Sequence, residues 1–156
     1  MRKIKFRGER LDNGEWLYGN LVELRNPLNP NDAPACFIMP KEVNIASPDS
    51  IAEQEVVDPD TVGQFTGLLD KNGKEIYEGD VIKVITFGFD PEKFITEIKY
   101  GCSGGVLGFH LANGRSLFYF GQSDYSRLDD TTIIGNIHEN PELLSNDEHD
   151  PGTSVN

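Results

Sequence analysis

The chain has 156 residues, of which 26 are acidic and 14 basic, so its net charge is −12. This length fits one ordinary domain or two very small ones, and it is long enough to bury a hydrophobic core without crosslinks. The acidic balance opposes broad binding to nucleic acid or to an anionic membrane, because the long-range field repels phosphate groups.

The first third of the chain predicts a β-hairpin followed by broken structure. "KIKFR" alternates charged and apolar residues, which predicts a half-buried strand over 3–7. Asn13-Gly14 tolerates the positive φ angles of a tight turn, so "WLYGNLVEL" is predicted to return as a second strand. Three prolines between residues 25 and 34 favour a loop. A short strand, "ACFIMP", comes next, and residues 41–60 leave strand and helical turn open.

The rest of the chain is predicted to be strands separated by glycine and asparagine turns. The predicted strands are 60–67, 81–87, 95–101, two short strands around Asn113-Gly114 within 106–121, and the segment that starts at Thr131. No helical period persists, so we predict a mostly β protein with little helix, of the small-barrel type. After Pro141 the apolar content falls, and residues 142–156 are predicted to be a disordered acidic tail.

The two cysteines, Cys36 and Cys102, lie in unrelated contexts, which predicts reduced thiols rather than a secreted disulfide scaffold. No apolar run has the length of a signal peptide or of a membrane helix. We therefore expect a cytoplasmic protein with no membrane partner.

No residue pattern predicts a catalytic, cofactor or metal site. Counted from Asp70 as a calcium-binding loop, the glycine falls fourth and a valine twelfth, so the spacing fails. The glycine-rich stretch 101–108 lacks a phosphate-loop ending and is predicted to be a bulged turn between strands. Cys102 and His110 suggest a Cys–His nucleophile pair. The alternative is that His110 is simply a solvent-facing histidine. We expect no cofactor and no enzymatic activity.

The basic residues of the first strand are the candidate partner-binding site. Alternation predicts that Lys3, Lys5 and Arg7 point away from the core, and the aromatic residues Trp16 and Tyr18 follow in the next strand. Such a face suits a phosphate backbone or an acidic partner. The alternative is an edge strand that charge protects from aggregation.

Two segments of the chain echo each other. "FRGERLDNGEWLYG" and "FTGLLDKNGKEIYEG" share a Phe-x-Gly start and an Asn-Gly pair at the same distance from it. The echo leaves two explanations open, a duplication or two hairpins that converged on the same turn residues. Both explanations favour a structural role for the Asn-Gly turn.

Three blocks of sequence resemble the YopX-like family of phage and prophage proteins: "KFRGERLDNGEWLYG", "VDPDTVGQFTGLLDKNGKEIYEGDVI" and "IIGNIHENPELL". The resemblance implies self-association and an SH3-like barrel over residues 61–141, after an N-terminal β-hairpin region with long loops over residues 1–60. The residues that carry this family signature, with expected roles in turns and packing, are Gly63, Gln64, Gly67, Asp70, Gly73, Tyr77, Gly79, Asp80, Gly135 and Asn136.

From these observations we expect a non-enzymatic accessory protein of a phage or prophage, an oligomeric β module that binds a host or phage protein. The alternative is a nucleic-acid-associated factor that uses the basic first strand, which the net charge of −12 disfavours.

Overall fold

The protein is described by a computed structural model over residues 3–29, 31–39, 56–85, 93–115, 127–128 and 131–145. Through these residues the chain is mostly β, as the sequence predicts, and helix is limited to single short turns. The chain divides into two compact units, Met1–Gly67 and Leu68–Asn156. The SH3-like detail of the fold stays a prediction.

The first unit is a sheet in which consecutive strands are neighbours. Its strands are β1 (Phe6–Glu9), β2 (Trp16–Leu24), β3 (Ala35–Met39), β4 (Val56–Val57) and the first half of β5 (Gly63–Asp70). The order is β5-β1-β2-β3-β4, and the pairs are antiparallel. The predicted hairpin turn is confirmed, with Gly14 at a φ of 73°. β1 lies between β2 and β5, so it is not the edge strand that one interpretation of its charges required.

The core of the first unit forms where β4 returns to β1. Cys36, Ile38 and Val57 are buried at its centre. The backbone N–H of Asp58 donates to the carbonyl of Glu9 at 2.8 Å, which brings β4 against the end of β1. Partly buried apolar side chains complete this core: Phe6, Leu17, Leu21 and Val62.

The second unit contains a four-stranded antiparallel sheet in the order β11-β7-β8-β9. Its elements are the second half of β5, β6 (Glu75–Tyr77), β7 (Asp80–Ile85), β8 (Lys93–Ser103), β9 (Val106–Leu111), β10 (Arg127–Leu128), β11 (Thr131–Asn136) and helix α1 (Glu142–Ser145). β6 pairs with β5, and β10 runs parallel to the end of β5. The core consists of the buried residues Ile76, Ile82, Val84, Ile98 and Leu111, with Leu68, Phe94, Phe109 and Ile133 packed against them.

Several boundaries differ from the predictions or cannot be compared with them. The first four residues of the predicted disordered tail form helix α1, and the remainder of that tail lies outside the described residues. The same holds for the ambiguous segment 41–55 and for the predicted strand that follows Asn113-Gly114. In the part of the chain that the structure describes, no helix has the length and apolar character to cross a lipid bilayer.

Candidate interaction surfaces

Asp70 closes the turn between β5 and β6 and ties that turn to β11. Its side chain is 1% exposed. One carboxylate oxygen, Oδ1, accepts from the backbone N–H groups of Asn72 at 2.8 Å and Lys74 at 2.9 Å. The other, Oδ2, accepts from the N–H of Ile133 at 3.3 Å. Burial on its own raises the pKa of Asp70, but the hydrogen bonds from Lys74, Asn72 and Ile133 outweigh it, and the pKa lies below the ordinary value of aspartate. The carboxylate therefore serves the fold.

The turn between β6 and β7 is held in the same way, by a buried carboxylate and a glycine. Asp80 is buried, and its Oδ2 accepts from the backbone N–H of the buried Tyr77 at 2.7 Å. Gly79 has a φ of 78°, which favours glycine. Its N–H donates to the carbonyl of Ile98, and its carbonyl accepts from the N–H of Ile137, both at 2.9 Å. This turn thus connects β8 to the end of β11.

Gly135 and Asn136 hold the C-terminal segment against β11. A Cβ on Gly135 would collide first with the side-chain oxygen of Asn140 and would lie 2.8 Å from Cδ1 of Leu143, so glycine lets both side chains approach the strand. The amide oxygen of Asn136 accepts from the N–H groups of His138 and Glu139, both at 2.9 Å. These bonds turn the chain back toward helix α1.

The remaining signature residues lie along β5 and its turn. Gly63 and Gln64 pair with β1, opposite Arg7 and Phe6. Gly67 and Gly73 have φ angles of 90° and 81°. The signature residues are therefore distributed among turns and close approaches of strands. They do not converge on one pocket, and the described residues contain no group of three or more side chains suited to a metal ion.

The prediction that Arg7 points into solvent is wrong. Arg7 is 5% exposed, and its Cζ lies 4.8 Å from the ring centroid of Trp16. Gly63 lies opposite Arg7 on β5 and has no side chain, which leaves room for the long side chain of Arg7 on the surface of the sheet. Trp16 holds this guanidinium, whereas Tyr18 stays 47% exposed.

The other basic residues of the first strand are only partly available. Lys3 is exposed, and Lys5 is half-buried, with its Nζ 6.0 Å from the ring centroid of Phe65. Arg10 forms ion pairs with Asp12 at 2.5 Å and Glu15 at 3.4 Å. The predicted basic face is therefore not a continuous patch of solvent-facing charge.

The hairpin of β8 and β9 carries an apolar surface that the sequence did not reveal. Ile98 lies opposite Leu111 in the core, and the same face continues outward through two more opposed pairs, Tyr100 with Phe109 and Cys102 with Leu107. Tyr100 is 48% and Leu107 is 68% exposed. We call the surface formed by Tyr100, Cys102, Leu107 and Phe109 the apolar finger. The two rings stack edge to face with centroids 5.1 Å apart, which stiffens its base.

The same register corrects two expectations about residues 101–108. Gly101 and Gly108 lie opposite each other inside strands, and the turn itself is Gly104-Gly105, with φ angles of 58° and 80°. Alternation places Cys102 and His110 on opposite faces of the hairpin. The nucleophile pair is therefore not formed, and His110 is half-buried beside Lys99.

The fold and these surfaces define a mostly β protein of two units whose most distinctive residues secure turns. The YopX protein family matches residues 5–145, and the chain belongs to that family. Among solved structures it is similar to the crystal structure of protein EF1440 from Enterococcus faecalis, with 28% identity and a TM-score of 0.55 over 92% of this chain and 99% of that chain. No curated protein sequence matches this chain.

Proposed function

We propose that the protein is a non-enzymatic accessory protein of a phage or prophage that binds a host or phage protein through the apolar finger. The observation that carries the proposal is the outward continuation of the core face of the β8–β9 hairpin into Tyr100 and Leu107, which are 48% and 68% exposed. Large apolar side chains held on a rigid hairpin are the usual anchors of protein interfaces.

The magnitude of this anchor follows from its exposure. Fully burying a leucine contributes roughly 1.5–3 kcal/mol. Leu107 is 68% exposed, so its burial by a partner is expected to contribute about 1–2 kcal/mol. Tyr100 adds aromatic area at low conformational cost, because it already rests against Phe109. Burial of Leu107 alone is thus expected to strengthen binding by roughly 5- to 30-fold.

The positions of the acidic signature residues support a non-enzymatic role. Asp70 and Asp80 are buried and accept hydrogen bonds from backbone amides of their own unit. General acid or base catalysis needs a carboxyl within hydrogen-bond reach of a substrate. These two carboxylates are engaged by the turns that they close.

The nucleic-acid alternative is less well supported, because Arg7 and Trp16, two of the five residues on which it relies, contact each other. Arg7 is buried against Trp16, and Arg10 is paired with acidic neighbours. A base stacks on an exposed aromatic face, and Trp16 is half-buried against a guanidinium. Lys3 and Tyr18 remain exposed, and they are the residues that this alternative retains.

The test is capture of a partner from lysates of host cells that carry the phage, with Leu107→Asp compared with wild type. We expect wild-type protein to retain a specific protein after nuclease treatment, and Leu107→Asp to weaken that affinity by roughly 5- to 30-fold or more. The matched control is Leu28→Asp, since Leu28 is 93% exposed in the first unit. Equal loss in both variants, or capture that nuclease abolishes, would refute the proposal.

The proposed function also includes self-association of the protein in the cytoplasm of the host. Light scattering of the purified protein over a range of concentrations tests it directly. A mass equal to one chain at every concentration would refute an oligomeric module while leaving the finger proposal to its own test.

A further inference from the structure

Two lysines of the second unit lie on the face of the β7–β8 pair that is opposite the core, and a third lies near them. Lys83 pairs with Ile95, and Ile85 pairs with Lys93, so Lys83 and Lys93 are diagonal neighbours on one face. Ile82 and Val84 alternate with them and point into the core.

The third lysine, Lys71, follows the end of β5, and its charge acts on Lys83. The backbone N–H of Lys71 donates to the carbonyl of Thr131 at 3.0 Å. Thr131 pairs with Val84, and Thr132 pairs with Lys83. We call Lys71, Lys83 and Lys93 the lysine cluster. The sequence gives no sign of it, because only the strand register brings these residues together.

The electrostatics of the cluster are unusual for so acidic a chain. Among the described residues, ion pairs join Arg10 to Asp12 and Glu15 and join Lys99 to Glu97, and none involves the lysine cluster. The pKa of Lys83 lies below its ordinary value. The main cause is the charge of Lys93, followed by burial, a hydrogen bond with Lys93 and the charge of Lys71. The fold thus holds like charges together without neutralising them.

We propose that the lysine cluster is a binding site for a short acidic segment of a protein partner. Ammonium groups on one sheet face match closely spaced carboxylates. The half-exposed apolar side chains beside them, Ile85 and Ile95, suit the aliphatic parts of such a segment. This inference rests on the proposed function only in that the partner is a protein. The lysine cluster lies on the β7–β8 pair, whereas the apolar finger lies on the β8–β9 pair.

A short acidic segment fits better than a nucleic acid, because the positive charge is local. A polyanion that extends beyond three lysines meets the field of a chain whose net charge is −12. Few phosphate contacts also release few counterions, which keeps the affinity for nucleic acid low. An acidic segment that ends within the cluster avoids this repulsion.

The test measures binding of a fluorescent oligoglutamate peptide by anisotropy at low salt. We expect wild-type protein to bind it, and Lys83→Gln/Lys93→Gln to weaken the affinity by roughly 5- to 30-fold, because two charge contacts to the peptide are lost. The matched control is Lys99→Gln, which also removes a lysine from β8 but one that is paired with Glu97. This control is expected to bind as wild type does.

Two further sets of measurements identify the class of ligand and distinguish this proposal from the apolar-finger proposal. A single-stranded oligonucleotide of the same net charge should bind more weakly than the peptide, and inorganic phosphate should compete poorly. Tighter binding of the oligonucleotide, no binding of the peptide, or equal loss in Lys99→Gln would overturn the inference. Leu107→Asp should retain peptide binding, because Leu107 is not part of the lysine cluster. Peptide binding can therefore be judged even if the apolar-finger proposal fails. If the double variant fails to fold, Lys71→Gln and Lys93→Gln, whose side chains are exposed, repeat the test singly.

Discussion

Replacing Asp70 by asparagine should destabilise the protein by about 2–3 kcal/mol. Asparagine presents one oxygen and one amide, whereas the two oxygens of Asp70 accept from Asn72, Lys74 and Ile133. Whichever way the amide is turned, at least one of these three part-buried N–H groups faces another donor. An unsatisfied buried donor costs about 1–3 kcal/mol, and the bonds that remain lose the contribution of the charge. For a small protein this is a large fraction of the total stability.

The dependence on pH gives this prediction a second readout. The pKa of Asp70 is lower in the folded protein than in the unfolded chain, so the carboxylate contributes stability above the unfolded pKa of about 3.9 and loses it as pH falls through the folded value. The difference in unfolding free energy between wild type and Asp70→Asn should therefore be constant near neutral pH and narrow below about pH 4.

Urea denaturation followed by far-ultraviolet circular dichroism measures both quantities. The matched control is Asp60→Asn, because Asp60 is exposed and only its backbone N–H is engaged, with Asp58. The control should change stability by less than about 0.5 kcal/mol. A similarly small effect of Asp70→Asn, or a difference that stays constant down to acid pH, would refute the assigned role of the carboxylate.

Three other changes test the packing and the electrostatics. Gly135→Ala should lose about 1–3 kcal/mol of stability in urea because its Cβ meets Asn140 and Leu143, whereas Gly108→Ala, whose Cβ has open space, should change little. Lys93→Gln should raise the unfolding free energy slightly because it relieves repulsion with Lys83, and a loss instead would show that the lysine cluster stabilises the fold. Truncation after Leu144 should leave the melting temperature unchanged, and a fall of several degrees would show that the removed segment packs on the protein.

The strands were predictable because a half-buried strand repeats every two residues, and the sequence displays that repeat. The turn at Asn13-Gly14 and the strand that begins at Thr131 appear where the sequence places them. The turn role of the acidic signature was also predictable, since the spacing after Asp70 fails the pattern of a calcium-binding loop.

The orientation of Arg7 was not predictable from alternation. The repeat identifies two faces of a strand but not whether one of them stays in solvent. That depends on pairing with β5, which places Gly63 beside Arg7, and this pairing is set by residues far along the chain. The apolar finger and the lysine cluster escaped sequence analysis for the same reason, because each is made by the register of neighbouring strands.

The residues that carry the family signature and the residues that we propose to contact partners belong to different sets. Asp70 and Asp80 accept hydrogen bonds from the backbone of their own unit, and Gly135 lets neighbouring side chains pack against its strand. Leu107 and Lys93 are ordinary residues that gain significance from the partner strand beside them. Changes in the first set should therefore alter unfolding free energy and leave the affinity of the folded fraction unchanged. Changes in the second set should alter affinity at nearly constant stability, and a variant such as Leu107→Asp that unfolds the protein would show that the finger is part of the core.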